Sequence, residues 1–140
     1  MFNEDTFLDM QFNTAFATTY PLCPLGEHIS QIVDAKLSKI TLVADQSIRF
    51  ILEVMHNIQD FDGPNIRQGI WLDTTPDGQG LDNGPGKNVA LGRLREAVGQ
   101  NANGQNWSPR MLIGKAVKVS ITHTPSKKNP ADLFNDIGGV

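Results

Sequence analysis

The sequence predicts a mainly β fold from three observations. Apolar residues alternate with polar ones in several short runs, the period of half-buried strands. Thirteen Gly and eight Pro, against 19% charged residues, supply many turns. A single convincing helical stretch, Gly86 to Gln100, is preceded by three strand-like runs and followed by one clean strand, Lys115 to Thr122, and a short last one. Strand, strand, strand, helix, strand, strand is the chain order of an OB-fold, a five-stranded partly open barrel.

Each element has its own local reason. Residues 1–22 form an N-terminal arm, and residues 23–140 the barrel domain. The arm carries Phe2, Phe7, Leu8, Phe12 and Phe16, with roughly helical spacing from Leu8 to Phe16. Such an arm, acidic and rich in phenylalanine, suits docking on the barrel or on another subunit. Pro21 to Gly26 is a rigid turn. From His28 to Ile40 a long first strand is expected, broken by a bulge that bends it far enough to serve both edges of a small barrel. The second strand, Ser47 to Asn57, is apolar on both faces and therefore central. The third, Ile66 to Asp73, sends Ile70 and Leu72 one way and Arg67, Gly69 and Trp71 the other.

Residues 74–86 read as a glycine-rich loop. The helix that follows is expected to bury Val89, Ala90, Leu94, Ala97 and Val98 and to stop at Gly99 or Gly104. Ser108 and Pro109 start a one-turn helix. In the fourth strand Val117, Val119 and Ile121 point inward, with Lys118, Ser120 and Thr122 outward. Asp132 to Val140 supplies the fifth.

Composition narrows the function. No apolar run approaches the ~20 residues of a membrane-spanning helix. Met1 to Met10 carries Glu4, Asp5 and Asp9 without a cation, the wrong charge for a secretory signal. Cys23, the sole cysteine, forms no intramolecular disulfide and fits a reducing compartment. The net charge is -3. Residues 1–35 hold five carboxylates and no Lys or Arg, whereas residues 83–130 hold eight cations against Glu96 alone. Screening confines attraction to about 8 Å, so an acidic chain can still present a basic groove.

Constellations for chemistry are sparse. His28, His56 and His123 lack ligand spacing, and one cysteine gives too few soft ligands for structural zinc. Asp60, Asp62 and Asp73 flank a turn and suit either a divalent cation or plain solvation. The segment Gly78 to Lys87 lacks the spacing of a phosphate loop. No nucleophile, base and orienting acid assemble, so neither catalysis nor a cofactor is expected.

The outward strand faces offer more. Single strands of nucleic acid are held by stacking on aromatic rings, about 1–3 kcal/mol per base, with cations along the phosphates. Trp71 and Arg67 share a face with only Gly69 between them, and Arg49, Lys36 and Lys39 are expected to extend it. Lys118 and the Lys127–Lys128 loop supply charge from the other side of a groove. The competing reading makes Trp71 a barrel cap and the cations solvated surface.

Several motifs resemble those of one bacteriophage family. Residues 24–36, Pro-Leu-Gly-Glu-His-Ile-Ser-Gln-Ile-Val-Asp-Ala-Lys, are similar to its opening P-x-G-x-Y-x-x-x-I-x-x-A pattern. Leu91 to Gly99 is similar to its helix, Leu112 to His123 to its fourth strand, and Phe134 to Val140 to its closing Y-N-x-V-x-x-V. The members are single-stranded-DNA-binding or formerly uncharacterised proteins whose genes sit beside recombination and replication genes. The resemblance spans about residues 20 to 140. Two departures stand out: His28 replaces an aromatic, and Phe134 replaces a tyrosine while keeping a stacking surface.

By resemblance, the fold is an OB-fold. The implied activity is sequence-tolerant binding of single-stranded DNA, without a cofactor, in the cytoplasm of an infected bacterial host. Implied partners are replication or recombination proteins of phage or host, and a homodimer is expected. The alternative is a protein-interaction module on the same fold. Binding is expected to weaken steeply with salt.

Overall fold

A computed structural model describes residues 3–42, 44 and 46–140. The expected arm residue Phe2 lies outside the described residues. The elements are α1 (Glu4–Leu8), β1 (Gly26–Thr41), β2 (Ile48–Ile58), β3 (Ile66–Leu72), α2 (Val89–Ala97), a single 3-10 turn (Pro109–Leu112), β4 (Ala116–Pro125) and β5 (Leu133–Gly139). The strands form one antiparallel sheet in the order β3-β2-β1-β4-β5. No ladder joins β3 to β5, although the two edge strands lie close together. The sheet is therefore curled but not closed by hydrogen bonds.

The long first strand makes this curl. At sixteen residues β1 pairs with β4 through Gly26–Gln31 and with β2 through Ser30–Thr41. Its register slips between Ile32 and Asp34, so Val33 is the extra residue of a bulge, as the sequence predicts. A bulge sharpens local twist and bends the strand. A second slip lies on β5, where Ile121 pairs with Ile137 and Ser120 with Gly139. Gly138 fills that bulge because a Cβ there would come 2.7 Å from Thr122 Cγ2.

The concave side buries Ile32, Leu52, Val54, Ile70, Leu72, Val117, Val119 and Ile121, each contributing about 1.5–3 kcal/mol. His56 is buried among them. Ser30 Oγ donates to its Nδ1 (2.7 Å) and its Nε2 donates to Gln68 Oε1 (2.8 Å). Desolvation holds its pKa below the ordinary value, keeping the ring neutral.

The helix differs from its expected form. It begins at Val89 because Asn88 adopts a left-handed conformation (φ 52°), which Asn tolerates better than most residues. The Asn88 side chain accepts from the Asp73 amide and donates to the Asp73 and Asp82 carbonyls, all at 2.8 Å. Its own amide donates to Asp73 Oδ2 at 2.9 Å. These bonds fix the phase of the helix, so Leu91 and Leu94 are buried and Val98 partly so, while Val89, Ala90 and Ala97 are exposed. The helix ends at Gly99 (φ 74°), as expected. The Gly99 and Gln100 amides return to the Glu96 and Arg95 carbonyls, the double bond of a Schellman cap.

The arm also departs from expectation. Its helix covers Glu4–Leu8, not Leu8 to Phe16, and none of it is buried. With none of its residues buried, so short a helix gains little stability from packing. The arm's root is tied to the domain. Cys23 is fully buried, its amide donating to Asn135 Oδ1 (2.8 Å) and its carbonyl accepting from His123 Nε2 (2.7 Å). No described helix is long and apolar enough to cross a membrane.

Candidate nucleic-acid interface

The ladder register decides which side chains share the convex face. Ser38 pairs with Ile51 and Ile51 with Trp71; Lys36 pairs with Glu53 and Glu53 with Gly69; Met55 pairs with Arg67. Period-two alternation therefore brings Lys36, Arg49, Arg67 and Trp71 to one side of the sheet. Trp71 is 49% exposed, so it presents an open ring face and does not cap the barrel. The Arg49 guanidinium lies 5.4 Å from the ring centroid, within cation–π range.

Gly69 leaves the expected gap between Trp71 and Arg67, and the Arg67 side chain lies over it. A guanidinium nitrogen sits 3.1 Å from where a Gly69 Cβ would stand. In that pose Arg67 Nε reaches Glu53 Oε1 at 3.3 Å. Lys36 Nζ meets Asp34 Oδ2 at 3.6 Å. Two of the face's cations are thus partly neutralised by carboxylates that spacing alone did not pair with them.

Not every predicted residue joins this face. Lys39 pairs with Phe50 on the opposite, inward parity, because residues three apart on a strand point to opposite sides. Lys118 projects from β4 beside Glu27, 3.7 Å away; β1 and β2 stand between it and β3. Lys127 and Lys128 are exposed on the turn between β4 and β5, with no carboxylate at ion-pair distance among the described residues. That turn leads directly into Phe134.

Phe134, 39% exposed, extends the face across the gap between β3 and β5. Tyr20, from the arm's root, packs on it with ring centroids 4.8 Å apart. Asn135 Nδ2 holds the Pro21 carbonyl at 3.0 Å and so anchors this contact. A groove of about 170 Å³ runs between these two rings, Pro64 and Arg67. At the other end of β3, a recess of about 190 Å³ lies between Arg49, Asp73 and Lys87. The two ends are separated by about 20 Å of strand.

Sequence reasoning missed Tyr20, Lys87 and the anionic Glu53. Tyr20 was detectable only as an aromatic at the junction of arm and domain. Arg95 and Trp107 form a second cation–π pair, 4.3 Å to the centroid, but it serves structure. Arg95 Nε donates to the Gln100 carbonyl, and Trp107 Nε1 to Gln100 Oε1.

Titratable groups elsewhere serve structure. His28 Nδ1 faces Asp60 Oδ1 (3.1 Å) and Nε2 faces the Pro24 carbonyl (2.7 Å). Both partners accept, so only the imidazolium satisfies both. The bond to Asp60 and then that to Pro24 raise the His28 pKa, and the same pair lowers that of Asp60. Burial pushes the Cys23 thiol up. No cluster of His, Cys, Asp or Glu among the described residues is arranged to hold a metal ion, so Asp60, Asp62 and Asp73 form no such group.

No family model matches the chain, and no curated protein matches it either.

Proposed function

We propose that the chain is an OB-fold protein that binds single-stranded DNA with little sequence preference. In support of the fold, β1 is shared between β2 and β4, the helix falls between β3 and β4, and β5 lies near β3. OB-folds bind oligonucleotides on the face of strands 2 and 3, bounded by the loops that follow strands 1 and 4. The observation that carries the function is the half-exposed Trp71 on the outer face of β3, flanked by Arg49 and Arg67. A base stacks on Trp71 and a second on the Tyr20–Phe134 pair. Arg49, Arg67, Lys36, Lys127 and Lys128 follow the phosphates, joined by Lys87.

Every base has a π-face, so stacking of this kind tolerates any sequence. The setting is the phage replication or recombination system implied by the sequence resemblance, in the cytoplasm of the infected host, with no catalytic role. The Arg67–Glu53 and Lys36–Asp34 pairs moderate the electrostatic share of the affinity. A gel-shift titration with oligo-dT tests the reading: a shifted band at micromolar protein supports it.

The second reading, a protein-interaction module, is favoured by the exposed phenylalanines of the arm. It gains if no strand is shifted at those concentrations.

A further inference from the structure

A different face of the molecule carries an apolar cleft of about 570 Å³, on the inward side of the sheet where β1, β2 and β3 end near the 3-10 turn. Leu37, Phe50, Leu72 and Pro109 line it, together with Lys36 and Arg110. Leu37 is 63% exposed, whereas Leu52, its partner on β2, is buried. Lys39 shares the inward parity of Leu37 and stands opposite Phe50. The cleft is therefore lined mainly by apolar side chains, with Lys36 and Arg110 as its cations and Lys39 on the neighbouring inward position of β1.

The arm has the complementary chemistry. It carries Glu4, Asp5 and Asp9 and no Lys or Arg. Phe12 and Phe16 pack edge to face at 5.6 Å and remain 61% and 74% exposed. In the single chain neither surface covers the other. An arm anchored at Tyr20, with 19 residues before the anchor, extends up to about 63 Å, enough to leave its own domain.

We propose that the arm of one copy seats its phenylalanines in the cleft of a second copy, with its carboxylates beside Lys39 and Arg110. Reciprocal exchange makes the contact isologous, so it closes as a two-fold dimer. The inference does not rest on DNA binding: Leu37, Phe50 and Leu72 point to the side of the sheet opposite Trp71, and of the cations assigned to the phosphate path the cleft shares only Lys36.

Two full-length single-cysteine additions test it. Phe12→Cys and Leu37→Cys are made in separate chains of different mass, mixed and oxidised; native Cys23 is buried. A disulfide joining the two different chains is expected. An intrachain link in the Phe12→Cys/Leu37→Cys double variant, at monomer mass, overturns the proposal, as does the absence of any mixed product. Sedimentation supplies the second readout. Phe12→Asp should weaken the dimer by about tenfold or more, and a wild-type chain that is monomeric at about 100 μM contradicts the exchange. Oligo-dT binding by the same variant reports separately on the β3 face.

Discussion

The guanidinium of Arg49 lies 5.4 Å from the centroid of the Trp71 ring, on the open side of the sheet. Strand alternation sends the indole to the outer face, and the cation beside it adds a cation–π contact there. That cation also places a positive charge beside the position a stacked nucleotide would take.

Replacing that ring should remove most of one stacking contact. Trp71→Ala is expected to weaken binding to oligo-dT by about 1–3 kcal/mol, roughly 5- to 150-fold. Thermal stability should change little, because half of the side chain already faces solvent. Anisotropy of a labelled strand measures the first effect and a melting curve the second.

Glu53 is an anion within a cationic face. Glu53→Gln releases Arg67 from its 3.3 Å ion pair and should strengthen binding. Each phosphate neutralised on a single strand contributes about 0.7 to the slope of log affinity against log salt. The wild-type slope is expected at about -2 to -3.5, and the variant should be steeper by about 0.7. A shallower slope would count against the assigned phosphate path.

The His28–Asp60 pair makes stability depend on pH. His28 has a raised pKa in the folded state, so its contribution is full below the ordinary value of 6.5 and fades as pH rises through the folded pKa. The Asp60 contribution is present above the ordinary value of 3.8 and is lost as pH falls through the lowered one. His28→Asn should therefore cost more stability at pH 5.5 than at pH 8.5. Buried His56 acts with the opposite sign, losing stability below 6.5. It is common to both proteins and cancels in the difference, which denaturant titrations at the two pH values measure.

Asn88 ties the end of β3 to the start of the helix through three hydrogen bonds with Asp73, and holds the intervening loop through a fourth to the Asp82 carbonyl. Asn88→Ala leaves the Asp73 amide without its partner and puts at φ 52° a residue that tolerates the left-handed region less well than Asn. A loss of about 2–3 kcal/mol is expected. Equilibrium unfolding in urea checks it.

Alternation made the strands legible, and the run from His28 to Ile40 even betrayed a bulge. Glycine announced the helix end, at Gly99 or Gly104, because a left-handed residue completes such a cap, and the structure takes the first of the two. Period two also placed Arg67, Gly69 and Trp71 together, since that pattern depends on one strand alone. What escaped depended on partners distant in the chain. Tyr20 and Phe134 meet only because Asn135 and His123 capture the arm's root. Arg67 finds Glu53 through register, not spacing. The helical spacing from Leu8 to Phe16 misled because a stripe without a surface to pack against does not hold a helix. The phase of the buried helix stripe escaped because Asn88, not the glycine before it, sets the first turn.

Trp71 fluorescence tests the central claim most directly. In a Trp107→Phe background Trp71 is the sole indole, and added oligo-dT should quench it in a saturable manner that weakens as salt is raised. Emission that stays unchanged with excess strand, at low salt and micromolar protein, would contradict a base stacking on the β3 face.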